Sequence, residues 1–327
     1  MRQGRYLRIY AKKTDWTGLS TQKWPHSADH TYIPMIKRLP GFSILRTIFA
    51  LFTMLVFSAQ MAGASASATG ALAIYQNSSN EIRMEQIATE MRKAYTNTTA
   101  NSSTTRKARR QIRAALKQAW GPRTFEREIT SAIDRTLNKA EQEFVLTWLD
   151  SSLGRKTALS EAIMYIEASR TDMLDIIEKS NSIDTDAKRK KLLKTINLAS
   201  MGGDLQLDMT VHQNAAASFV ANAPGSITGI SGVDGYSTYF NVTKSRRNEM
   251  FGMVHSYNVA MLTHAHKDLS KRELNQLISF WGSPTGTRYA VALREGIDKA
   301  FLKAKDHFIK ELAYIMASNN INVAQLR

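Results

Sequence analysis

Leu137-Asn138-Lys139-Ala140-Glu141 and Leu269-Ser270-Lys271-Arg272-Glu273 are two versions of one motif, 132 residues apart, and the alignment continues from them without a gap. The register holds through Trp148/Phe280, Ser151/Ser283 and Gly154/Gly286. Ser270 to Glu273 has the form of a capping box. The cap side chain accepts from the backbone N–H three residues on, and the glutamate returns a bond to the cap's own N–H. Asn138 to Glu141 is a looser equivalent. From each start a helix of about twelve residues, an ordinary length for a globular protein, is predicted to reach Trp148-Leu149 or Phe280-Trp281. Ser283-Pro284 then opens a second helix, with Pro284 at a first position that needs no N–H, and Ser151-Ser152 does the same in the first copy. Gly154 and Gly286 fall in the first turn of that second helix, where a missing side chain lets the two helices approach closely. The reading is a helical hairpin with an aromatic elbow, present twice.

Outward from these hairpins the pattern stays helical. Leu159, Ile163, Ile166, Met173 and Ile177 recur at helical spacing and predict one apolar face. Tyr289, Leu293, Ile297, Phe301, Phe308, Leu312 and Ile315 do so over a longer stretch. The best strand candidate, Tyr236 to Val242, is short. Breaks are expected at Asn97–Thr105, at Gly121-Pro122, at Ser180–Asp186 and in a glycine-rich surface loop from Pro224 to Gly235. That loop lacks the Lys-Ser/Thr ending of a phosphate-binding loop and the strand a dinucleotide fold requires. The chain is therefore read as all-α, with helical repeats at 80–183 and 184–320 packed as one body.

The 327 residues are 43% hydrophobic and contain no cysteine, so stability must come from packing, without disulfides or thiolate metal sites. The net charge is +16, unevenly spread: residues 1–66 hold 9 Lys+Arg against 2 Asp+Glu, and the rest 35 against 26. A mildly basic body suits anionic membranes or acidic glycans, and nucleic acid is not an expected partner. Ile48 to Phe57 is a nearly unbroken apolar run, preceded by Lys37, Arg38 and Arg46 and followed by Ala62-Gly63-Ala64-Ser65-Ala66. Basic flank, short apolar run and small-residue site compose a secretory signal, too short for a comfortable membrane span. Residues 35–66 are read as that signal, cleaved near Ala64–Ala66, and the mature protein as periplasmic or secreted. Retention in the inner membrane through residues 48–62 is the alternative. Residues 1–34 show no periodicity, and translation is expected to begin at Met35, leaving 1–34 as a start-site artefact or a disordered segment. Residues 67–80 are read as a flexible leader.

The run Leu-x-Lys-x-Glu, an aromatic, Ser-Pro-x-Gly and a basic residue resembles the bacterial domain-of-unknown-function family 2059, small exported helical proteins of mostly Gram-negative envelopes. Leu269 to Arg288 carries the likeness best. The copy at Leu137 departs from it, with Asp150-Ser151-Ser152 in place of the Gly-Ser-Pro step. The resemblance implies an exported helical domain and brings no catalytic residues with it.

Candidate chemistry is sparse. His264 and His266 precede the second capping box, but residues two apart on a helix point to different sides, so solvated histidines near a helix end are expected rather than a metal site. Glu141 and Glu273 are explained as cap partners and Ser151 and Ser283 as caps. Trp148, Phe280 and Trp281 are read as core at the elbow. Arg106, Arg109, Arg110, Arg113 and Lys117 cluster on one side of a helix whose other side carries Ile112, Ala115 and Leu116. This face is the candidate contact for an anionic surface. No cofactor and no catalytic residue is assigned. The expected function is a non-catalytic envelope protein binding a partner, an anionic membrane surface or a wall polymer. The alternatives are an envelope hydrolase drawing on His255, His264, His266 and nearby acids, and a self-assembling helical module.

Overall fold

The computed structural model describes residues 70–87, 89, 106–183, 186–221 and 232–319, and the described chain is helical with no strand. In order the helices are α1 (Gly70–Asn77), α2 (Arg106–Ala119), α3 (Pro122–Thr136), α4 (Lys139–Asp150), α5 (Ser152–Ala168), α6 (Met173–Ser182), α7 (Ala187–Ala199), α8 (Gly202–Ala221), α9 (Gly232–Ser245), α10 (Arg247–Ala265), α11 (Lys271–Trp281) and α12 (Pro284–Ser318). A further helical stretch covers 80–87. The segment read as a secretory signal, the expected Asn97–Thr105 loop and most of the expected glycine-rich loop lie outside the described residues. No helix among the described residues is long and apolar enough to cross a membrane.

The hairpins form from the residues that predict them. Asn138 Oδ1 accepts from Glu141 N at 3.0 Å while Glu141 Oε2 accepts from Asn138 N at 2.9 Å, and Ser270 with Glu273 does likewise at 3.2 and 2.6 Å. Ser151 and Ser283 cap the second helices, each accepting from a glycine N–H at 2.9 Å. A Cβ on Gly154 would lie 1.9 Å from Trp148 O, and one on Gly286 would lie 2.0 Å from Phe280 O, so neither turn admits a side chain.

The halves interlock rather than stand apart. In the first half α1 packs on α4 and α3; in the second, α7 packs on α11 and α10 in the same relation. Across them, α3 lies along α12, the most extensive pairing in the molecule, and α10 lies along α5 and α6. Gly296 allows the first of these: a Cβ there would come 2.6 Å from the Ile129 backbone. The main core gathers Ile74, Tyr75, Trp120, Phe125, Phe219, Phe301 and Phe308, with Phe125 and Phe301 edge to face at 5.3 Å.

Several expectations need correction. Residues 70–77 of the supposed flexible leader form α1, with Ala71, Ile74 and Tyr75 fully buried. Three apolar side chains against the core outweigh the small, polar look of the flanking sequence. Tyr236 to Val242 is helix within α9, not strand, and that helix begins at Gly232, inside the expected loop. Its period-2 alternation has no partner strand among the described residues, whereas Tyr239 and Phe240 find the core and Thr243 Oγ1 bonds back to Tyr239 O at 2.9 Å. The apolar face read from Leu159 to Ile177 is broken at Ser169–Asp172, where Asp172 caps α6, and Ile163 is 49% exposed. Leu153, Thr157, Ala162 and Met164 are the buried side of α5 instead. The long face from Tyr289 to Ile315 is buried at every one of its predicted positions.

Candidate functional site

The elbows meet each other. Trp148 stacks on Phe280, its counterpart 132 positions on, with ring centroids 4.6 Å apart and planes 8° apart. Arg288 Nη1 pairs with Glu141 Oε1 at 2.9 Å, and Lys156, the residue equivalent to Arg288, pairs with Glu273 Oε1 at 3.1 Å. The same cations reach backbone carbonyls at matching places, Arg288 that of Thr136 and Lys156 that of Asp268. When residue i of one unit meets j of the other and j meets i, the contact is of the isologous kind found between identical subunits. Both predicted cap glutamates thus do a second job that spacing alone does not reveal. Three ligands, the Ser270 N–H, its hydroxyl and Lys156, hold the Glu273 carboxyl down at about 2.

Beneath the stacked pair lies a cavity of about 90 Å³. Trp148, Phe280, Trp281, Leu277 and Leu149 supply its apolar wall, and Ser79, Asn80, Arg83, Glu161, Tyr165, Asn258 and Tyr289 its polar one. The aromatic residues expected as core therefore also face this space. Ser79 Oγ donates to Glu161 Oε2 at 2.8 Å, and His266 Nε2 stands 3.4 Å from Glu161 Oε1. His266 is completely buried rather than solvated as expected, and His255 Nε2 sits 3.6 Å from Asp204 Oδ1. His266 caps the end of α10 where the chain turns toward the second capping box, and Glu161 and Lys156 of α5 reach that turn at His266 and Asp268. His264 is partly exposed, and burial holds its imidazole below the ordinary value. No group of three potential metal ligands occurs among the described residues.

Burial pushes the Tyr289 hydroxyl well up, against the smaller pull of Ser78 and Asn80, which neighbour it without either meeting it at full hydrogen-bond geometry. Tyr165 is raised for the same reason, with Arg83 opposing. Both phenols are therefore neutral hydroxyls at physiological pH.

The predicted basic face is on α2, away from this cavity. Arg106, Arg110, Arg113 and Lys117 are exposed and Arg109 is half-buried, while Ala108, Ile112, Ala115, Leu116 and Ala119 are buried. No acidic residue stands in α2, and none of these cations makes an ion pair among the described residues. A second basic stretch lies at 188–194 on α7: Lys188, Lys190, Lys191 and Lys194 are exposed, but Arg189 donates to Leu269 O at 2.6 Å and also to His266 O, holding the turn before α11.

Together these features define an all-α protein with interlocked helical hairpins, a partly open cavity of mixed apolar and polar lining and a separate cationic helix face. No known protein family, curated protein or solved structure matches the chain.

Proposed function

We propose that this is an exported, non-catalytic binding protein of the bacterial envelope, built from two copies of one helical unit, that docks on an anionic surface through α2. The observation that carries this reading is the α2 face itself. Exposed arginines and a lysine lie along one side of a helix that holds no counter-charge of its own. Its other side is fixed to α12, so the cations are presented on a rigid support. Each basic residue near an anionic membrane contributes roughly 1 kcal/mol, enough in aggregate for reversible docking. Export rests on the basic flank, apolar run and small-residue site of residues 35–66.

Sedimentation with anionic vesicles should show binding that weakens as salt rises. Reversing Arg109, Arg110 and Arg113 to glutamate should abolish it with the fold intact by circular dichroism. Binding unchanged by the reversal would falsify the proposal.

The hydrolase reading has one observation in its favour, the His266–Glu161 pair beside the cavity. Its order is wrong for nucleophile activation: the Ser79 hydroxyl donates to the carboxylate, not to an imidazole, and His266 has no exposed surface. Self-assembly has less support. The most exposed apolar side chains, Leu198 and Tyr314, sit on different helices, and single exposures of this kind are ordinary.

A further inference from the structure

Arg83 is 7% exposed and lines the cavity under the elbows. Its Nη2 donates to the neutral Gln206 Oε1 at 2.8 Å, its guanidinium lies 5.0 Å from the centre of the Tyr165 ring, and its Nε has no partner. No carboxylate stands within ion-pair distance of it among the described residues. A guanidinium keeps its proton in any protein environment, so this charge cannot be discarded as a buried lysine's can. An amide dipole and a ring face offset only part of what is lost when such an ion leaves water.

Glu161 shares the cavity but is already engaged, with one oxygen on Ser79 and the other facing His266. On another wall Asn258 Nδ2 donates to Asn197 Oδ1 at 2.5 Å. The uncompensated charge of this cavity is therefore that of Arg83, and the neutral Tyr289 hydroxyl is a second polar group there without a hydrogen-bond partner. The volume of about 90 Å³ is several times the roughly 10–15 Å³ that one water needs, and too small for a drug-sized ligand. A planar fork of donors matches a carboxylate. Glu161 disfavours a doubly charged guest such as phosphate, and Trp148 with Phe280 offers an apolar surface for a short hydrocarbon end.

We propose that the cavity between the elbows binds a small monocarboxylate of about the size of acetate, its oxygens on Arg83 and its alkyl end against Trp148 and Phe280. The site is separate from the α2 face, and neither reading depends on the other.

Acetate is the probe. Titrated into the whole chain at constant ionic strength, it should raise the melting temperature in a saturable way, as a ligand of the native state must, while chloride and phosphate should not. Arg83→Lys keeps the charge but loses the fork, and should weaken acetate binding at least tenfold by calorimetry; Arg83→Met should abolish it. Should Arg83→Met fail to fold, Ala158→Leu decides instead: Ala158 of α5 also lines the cavity, so a leucine there fills it with Arg83 in place and should also eliminate binding. Reversing the α2 arginines should leave acetate affinity unchanged. Absence of saturation with the wild-type chain, equal saturation by phosphate or chloride, or full affinity in Ala158→Leu overturns the proposal.

Discussion

Gly154 and Gly286 are the residues on which each hairpin turns, and space rather than backbone freedom dictates them. Both are helical, and what excludes a side chain is the carbonyl of Trp148 or Phe280 about 2 Å from where a Cβ would be. Backbone cannot swing aside as a side-chain tip can. Gly286→Ala should therefore cost about 2 kcal/mol or more, the upper part of the range for overpacking, and Gly154→Ala a similar amount, read from urea unfolding. Glu273 predicts a pH effect. Its folded-state value of about 2 lies below the ordinary 4.5, so its contribution is complete above pH 4.5 and disappears as the pH falls toward 2. Asp186, lowered by the Arg189 N–H and then by Lys271, acts in the same direction. Glu273→Gln should flatten the acid limb of a stability-against-pH curve by up to one proton; an unchanged slope would show that the cap and Lys156 do not hold the ionised form.

Helices were legible in the sequence where local chemistry decides them. Caps at Asn138, Ser151, Ser270 and Ser283 act within a few residues of themselves, so the pattern that predicts them is also their cause. The face from Tyr289 to Ile315 was readable because one long helix keeps one side against the core throughout. Where partners are remote, the sequence misleads. Period-2 alternation from Tyr236 to Val242 says only that a strand is permitted, and no second strand exists among the described residues to accept it. The short α1 carries little periodicity and is held by packing against α3 and α4. The cavity was illegible for the same reason. Arg83, Glu161 and His266 lie far apart along the chain, and nothing near any of them announces that they share an interior. Of the α2 cations, by contrast, Arg106, Arg110, Arg113 and Lys117 stand exposed opposite the apolar side that spacing predicts, with Arg109 half-buried, because amphipathicity is a property of one helix.

Across the molecule, the pairing of α3 with α12 and of α10 with α5 and α6 sets the unfolding behaviour. Each half buries its largest helix surface against the other, so neither retains a complete core when its partner opens. Calorimetry should therefore show one transition, with equal calorimetric and van't Hoff enthalpies, although chains of this length often show more. Two resolved peaks would mean that the crossing helices contribute less than the contacts within each half.

The exchange of Lys156 and Arg288 between the halves has a further effect on motion. A helix end ordinarily frays by itself, at little expense to anything distant. Here the glutamate that closes the first turn of α4 is gripped from α12, and the one that closes α11 is gripped from α5. Loosening either start strips a cation anchored at the opposite elbow of its counter-charge, so fraying at one hairpin carries a small cost, of up to about 1 kcal/mol, at the other.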